Sequence, residues 1–292
     1  MVENSKRKLY DGYQINDFRE LINVRYTMFK DKNAFEYRLK PDWEIIKVTY
    51  ADYINDIKAL GTALLNLGLE KKRIALIAPN RYEWCVSYLA VTTSNIVVVP
   101  LDKSLPDNEI ESLIIRSKVD GVIFDKKYLD VFNNIKNNNT SNLTTYICMD
   151  YSEDKDNILS YPKLINNGAK LLANGDKKYD NITIDNTAMS IMIFTSGTTS
   201  ISKAVMLSQK NICSDIYSLS CMAKVTSNDK FLSFLPLHHT FESTCTFLYG
   251  TSAGITVVFT DGLKYIVKNL KEYEITGFVC VPLVLETIYK KI

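Results

Sequence analysis

From Tyr50 onward the apolar and polar positions follow two periods that take turns along the chain. Across residues 51–67 the apolar Ile54, Ile57, Leu60, Leu64 and Leu67 recur three or four apart, which predicts an amphipathic helix stopped by Gly68. Short runs rich in Val and Ile follow, and residues 73–78, 96–100, 122–125 and 145–149 read as buried strands. Helical stretches separate them at 81–93, 106–117 and 128–135. Strands that are apolar throughout and alternate with helices build a largely parallel sheet covered on both faces. Such sheets bind ligands beyond the carboxyl ends of their strands.

Two polar stretches interrupt this pattern. Residues 133–142 read as a loop, and residues 151–180, rich in Gly, Asn and Lys with an apolar patch at 165–172, read as a connector between two lobes. The expected division is a first α/β subdomain over 1–184, with an N-terminal extension and the connector, and the start of a second over 185–292. In the second part the pattern predicts strands at 189–194, 204–207, 231–235, 255–259 and 278–281. Helices are expected at 210–223, from Glu242, at 263–271 and at 283–291.

Composition narrows the function more than the fold. With 46% hydrophobic and 23% charged residues over 292 positions, the chain can build a sizeable core, so disordered and disulfide-scaffold classes are excluded. A net charge of +2 argues against a dedicated nucleic-acid binder and against strongly electrostatic membrane binding. No run approaches the roughly 18 apolar residues of a membrane span, which leaves room only for peripheral membrane contact. The first residues hold no apolar stretch of the secretory type, so a cytoplasmic chain is expected. The six cysteines are scattered without a C-x-x-C pair, which points to buried or idle thiols in a reducing compartment and to no metal site.

The strongest local signal is residues 191–208, IMIFTSGTTSISKAVMLS. Two strand-like runs flank a loop with six hydroxyl residues, one glycine and one lysine. A glycine lets backbone N–H groups approach a phosphate, hydroxyls donate to its oxygens, and a lysine adds a mobile charge. The segment is not a Walker A loop, because Ser202 and Ala204 stand where that loop needs Gly and Ser/Thr. Composition alone leaves a phosphate cradle and a solvated Ser/Thr turn equally open. The only two histidines, His238 and His239, lie in FLSFLPLHHTFE at 231–242. An imidazole there suits a carboxylate partner, loop hydrogen bonding is the plainer alternative, and Glu242 reads as a first-turn acid favouring the helix N-terminus.

TSGTTSISKAVMLS resembles the TSGTTGxPKGV-type phosphate loop of the AMP-binding, adenylate-forming superfamily. FLSFLPLHHTFE is similar to that family's LPLHHTFE segment in long-chain acyl-CoA synthetases. The segments VTYADY, RIALIAPNRYEW, IVVVPLDKSLPDNEI, DGLKYIVKNLKE and VPLVLETIYKKI extend the likeness, in order, over nearly the whole chain. The resemblance implies that Thr195, Ser196, Gly197, Thr198, Thr199 and Lys203 grip the ATP phosphates and that His239, as catalytic residue, stands beside the carboxylate and adenylate pocket. Ser200, Ser202 and Ala204 depart from the family's Gly, Pro and Gly.

The fold implied is α/β, the layered parallel-sheet large lobe of the adenylate-forming enzymes, incomplete at the C-terminus. No YGxTE-type segment occurs before Ile292, so the implied chain is an N-terminal portion that is inactive alone. The activity implied is that of an acid–thiol ligase of the fatty acid–CoA ligase type, which uses ATP, Mg²⁺ and coenzyme A and takes a small-molecule carboxylic acid, a fatty acid, as substrate. An adenylate-forming enzyme for another acid and a non-catalytic nucleotide-binding remnant remain as alternatives.

Overall fold

The computed structural model describes residues 9–195 and 202–289. Its twelve strands are β1 (Asn33–Tyr37), β2 (Ile46–Thr49), β3 (Arg73–Ile77), β4 (Val97–Pro100), β5 (Gly121–Phe124), β6 (Thr145–Cys148), β7 (Leu159–Ser160), β8 (Met189–Thr195), β9 (Lys203–Ser208), β10 (Lys230–Ser233), β11 (Thr256–Phe259) and β12 (Gly277–Phe278). They form a seven-stranded sheet in the order β7-β6-β5-β3-β4-β8-β9 and a five-stranded sheet in the order β12-β10-β11-β1-β2. Every pairing is parallel except β8 with β9 and β1 with β2.

Period-two alternation explains the layering. In the seven-stranded sheet Ile74, Leu76, Val98, Ile123, Ile147 and Ile191 face a central core. Their neighbours Ala75, Ile77, Val99, Val122, Phe124 and Met192 face a second core under helices Asp107–Ser117 and Leu129–Asn138. The central core is shared with the other sheet through Phe35, Val257 and Phe259, with helices Tyr50–Asn66, Tyr82–Thr92 and Gln209–Met222 between. Leu232 and Val258 turn outward to a third core with Ile266 and Tyr273. The result is helix, sheet, helix, sheet and helix in layers. Trp84, Tyr88 and Phe247 pack ring against ring where the two sheets meet, and burying a large apolar side chain is worth roughly 1.5–3 kcal/mol.

Local chemistry sets the helix ends. Thr49 Oγ1 accepts from Asp52 N at 3.1 Å while Asp52 Oδ2 accepts from Thr49 N at 3.2 Å, a capping box that opens Tyr50–Asn66. Gly68, at φ +75°, follows that helix with a left-handed turn. Ser208 and Asn211 open Gln209–Met222 in the same reciprocal way.

Two expectations are corrected. Residues 133–138 continue the helix Leu129–Asn138 rather than forming a loop, because Ile135 joins Val131 and Phe132 in the core. The stretch 151–180 is not a linker: it contains β7 and helix Tyr161–Ala173, which packs along Tyr50–Asn66. Sheet membership crosses residues 184/185. β8 and β9 complete the first sheet, while β1 and β2, from what reads as an extension, complete the second through Phe35 opposite Val257.

Candidate functional site

β8 lies beside β4, with Ile191 opposite Val98, and runs parallel to it. β9 returns antiparallel, so Thr195 and Lys203 face each other where β8 ends and β9 begins. That end projects past the carboxyl edge of the parallel strands, the side where open α/β sheets hold ligands. Thr195 and Lys203 are both exposed there. Ser196, Gly197, Thr198 and Thr199, with Ser200, lie outside the described residues.

A cleft of about 580 Å³ opens at this edge. Thr195 and Ser202 line it from the hairpin, and His238, His239 and Thr240 line it from the turn after β10. Its apolar wall comes from Leu101, Leu105, Leu113, Phe194 and Val205, and Asp102, Glu109 and Asp215 add carboxylates. The cleft therefore brings hydroxyls, imidazoles and an apolar wall to one opening.

His239 caps the helical turn Thr240–Glu242: its Nδ1 accepts the Phe241 N–H at 3.3 Å. With Nδ1 so engaged, the neutral ring carries its proton on Nε2 and presents a donor. His238 is more enclosed, with Nε2 3.6 Å from Asp102 Oδ2. Burial pushes the His238 pKa below the ordinary histidine value; Asp102 pulls it up, and His239 and Lys103 push it further down. The turn is closed by the His239 N–H donating to Pro236 O at 3.0 Å.

Three residues that sequence reasoning did not assign to the site support it. Asn80, in the loop after β3, donates from Nδ2 to Leu235 O at 2.7 Å and accepts at Oδ1 from Leu237 N at 3.2 Å. Arg116, in the last turn of Asp107–Ser117, donates to the Ser202 carbonyl and stands 5.5 Å over the Phe194 ring, so it ties down the Thr195/Lys203 end of the hairpin. Glu242 does fall in the first helical turn, but it is fully buried. Its Oε1 accepts from Ser233 Oγ at 2.6 Å and its Oε2 from Thr246 Oγ1 at 3.0 Å. Burial pushes its carboxyl up to about 7, against the opposing pull of those two hydroxyls. A lone Asn or Arg in a loop or helix carries no periodic signal, so no local pattern flags the first two.

Among the described residues no group of three or more His, Cys, Asp or Glu side chains is arranged to hold a metal ion. Among them, too, no helix is long and apolar enough to cross a membrane.

A family model described as AMP-binding enzyme matches residues 24–291. The chain is 30% identical over 262 residues to a chloroplastic long-chain-fatty-acid–[acyl-carrier-protein] ligase of Arabidopsis thaliana, covering 85% of this chain and 36% of that protein. It is 29% identical over 271 residues to long-chain-fatty-acid–CoA ligase 5 of Mus musculus, covering 87% of this chain and 39% of that one. The chain thus spans well under half the length of these relatives. In three dimensions it is similar to a long-chain-fatty-acid CoA ligase of Rhodopseudomonas palustris, with a TM-score of 0.81 at 17% identity, covering 96% of this chain and 66% of that one. A similar likeness holds to a long-chain-fatty-acid–CoA ligase of Archaeoglobus fulgidus, with a TM-score of 0.80 at 16% identity and 97% and 56% covered.

Proposed function

The chain belongs to the AMP-binding enzyme family, and from that premise we propose that it forms the nucleotide-gripping and acid-positioning part of an AMP-forming fatty acid–CoA ligase. One observation carries the reading: the Thr195/Lys203 end of the β8–β9 hairpin and the histidine turn converge on one cleft at the carboxyl edge of the parallel strands. Relatives named for long-chain fatty acids and the apolar wall of the cleft support an aliphatic acid as the substrate.

A carboxylate is a poor acyl donor because its oxygen leaves badly. In the proposed reaction a carboxylate oxygen attacks the α-phosphorus of ATP, the bond to the bridging oxygen breaks, and pyrophosphate departs. The sulfur of coenzyme A then attacks the acyl carbon of the adenylate, loses its proton, and AMP departs. Both steps depend on alignment and on neutralising phosphate charge. Thr195 and Lys203, with Ser196, Gly197, Thr198 and Thr199 between them, take the β and γ phosphates. Magnesium enters with the nucleotide. His239 donates from Nε2 to the acid's carboxylate and orients it. The thioester step is assigned to the whole polypeptide that carries this chain, and these 292 residues alone are expected to bind without turning over.

A second reading, a non-catalytic nucleotide-binding module, is favoured by Ser200, Ser202 and Ala204 at the family's Gly, Pro and Gly positions. Calorimetric titration of ATP into the chain tests the shared part. Lys203→Ala is expected to weaken binding by about tenfold or more, the scale of a hydrogen bond to a charged group, and Lys210→Ala on the neighbouring helix to leave it unchanged. ATP binding that is absent, or indifferent to Lys203, sinks both readings. Fatty-acid-dependent pyrophosphate release by the whole polypeptide then separates ligase from module.

A further inference from the structure

We propose that Asn80, which reaches from the seven-stranded sheet to the Leu235 carbonyl and the Leu237 amide, is the positioning residue that holds His239 at the cleft wall. The inference rests on the carboxylate-orienting role given to His239 above.

The geometry is that of a peptide group played by a side chain. Pro236 has no N–H, so the backbone around it offers a carbonyl at Leu235 and an amide at Leu237 with no ladder partner between them. The Asn80 amide meets both, at 2.7 Å and 3.2 Å. Its second N–H goes to Ser233 Oγ at 3.1 Å, and that hydroxyl donates onward to Glu242 Oε1 at 2.6 Å. The segment from Leu235 to His239 is therefore anchored upstream by Asn80 and downstream by Glu242, through a shared serine. A planar group with two donors and an acceptor is required, and among side chains only Asn and Gln supply one.

The anchor is itself fixed. The next residue, Arg81, pairs with Glu83 through two bonds of 2.8 Å and 3.0 Å, and with Asp125 and Asp150 at 2.9 Å each. Those partners stand just past β5 and β6, so the loop after β3 is bound to the edge of its own sheet. Asn80 carries that rigidity across to β10 and the histidine turn. An orienting group must be held to within a fraction of an ångström to be useful; His239 is exposed and lightly bonded, and beside Asn80 the turn meets the first sheet through His238, whose Nε2 stands 3.6 Å from Asp102 just past β4.

The chain has only two histidines, so their ring signals can be followed separately by NMR with His238→Gln as the assignment control. Asn80→Ala is expected to shift and broaden the His239 ring signals, and to weaken octanoate binding by about tenfold while leaving ATP binding within twofold. Asn80→Asp, which keeps the volume and the acceptor for Leu237 N–H, is expected to move them less. In the unaltered protein the Leu237 amide is expected to exchange slowly, a readout that needs no variant to fold. Unmoved His239 signals in Asn80→Ala, or a Leu237 amide exchanging at the rate of a free loop, overturn the proposal. If the signals move while neither Asn80→Ala nor His239→Ala alters octanoate binding, the clamp stands and the acid-orienting role of His239 falls.

Discussion

Gly168 lies against Ala59 so closely that a Cβ on it would stand 1.8 Å from the Ala59 carbonyl oxygen. The neighbour is backbone, so no side chain can swing away to make room. Helix Tyr161–Ala173 must separate from Tyr50–Asn66 to accept even one methyl group. Overpacking typically costs about 1–3 kcal/mol, and the roughly 1 kcal/mol that alanine gains over glycine in a helix does not cover a displaced backbone. Gly168→Ala is expected to lower Tm by several degrees, and Gly168→Val by more. An unchanged melting curve for Gly168→Val would show that the two helices are not in this contact.

Glu242 makes stability depend on pH with a definite sign. Its carboxyl is raised from an ordinary 4.5 to about 7 in the fold, so between these values the folded chain holds a proton that the unfolded chain has lost. The contribution, about 3 kcal/mol, is fully present below about 4.5 and is lost as pH rises through about 7. Glu242→Gln, which mimics the protonated acid, is expected to be more stable than the parent at pH 8 and equal to it near pH 4.5. Parallel stability curves across that range would remove the buried-acid account.

Arg116 offers a test of the Thr195/Lys203 end of the hairpin that spares the fold. It is exposed and holds the Ser202 carbonyl and the Phe194 ring. Arg116→Ala is expected to weaken ATP binding severalfold through a looser hairpin end while Tm stays within a degree or two. Nucleotide affinity equal to that of the parent would mean that the hairpin end needs no such tie.

The thiols sort by depth. Cys85, Cys148 and Cys213 are buried and Cys221, Cys245 and Cys280 are partly exposed. Burial pushes the Cys213 thiol up to about 12 and the Cys85 thiol up as well, which removes the reactive thiolate. A maleimide applied to the folded protein at neutral pH is expected to label at most three cysteines, and all six once urea has unfolded it. Rapid labelling of Cys85 in the native state would contradict the core described above.

What could be read in advance follows from which interactions are local. The parallel strands were legible because burial on both faces leaves continuous apolar runs, and residues 73–78 of the pattern became β3 at Arg73–Ile77. β1 and β2 were not, since each is short, β2 is partly exposed, and β1 takes its register from β11 more than 200 residues away and passes it to β2. Helix Tyr161–Ala173 hid behind Asn166, Asn167 and Gly168, which read as linker until Gly168 is seen as the point where two helices touch. At the site, Thr195, Lys203 and His239 stand in contiguous motifs, so the sequence names them as candidates. Asn80 and Arg116 become visible only when the loop after β3 and the helix Asp107–Ser117 are brought against the cleft in three dimensions.

The exchange of strands between the sheets also orders events during synthesis. β9 ends at Ser208, so all seven strands of the first sheet exist before β11 has been made. Asn33 at the start of β1 accepts from Thr256 Oγ1 across 223 residues. At roughly 5–20 residues per second on the ribosome, β1 waits about 10–45 s for that partner, holding Phe35 and the rest of its apolar face without a permanent neighbour. Nascent chains arrested before Thr256 should be cut by protease within β1 and β2, and longer chains spared. The N-terminal hairpin is thus the earliest part of the second sheet to be made and among the last to be secured.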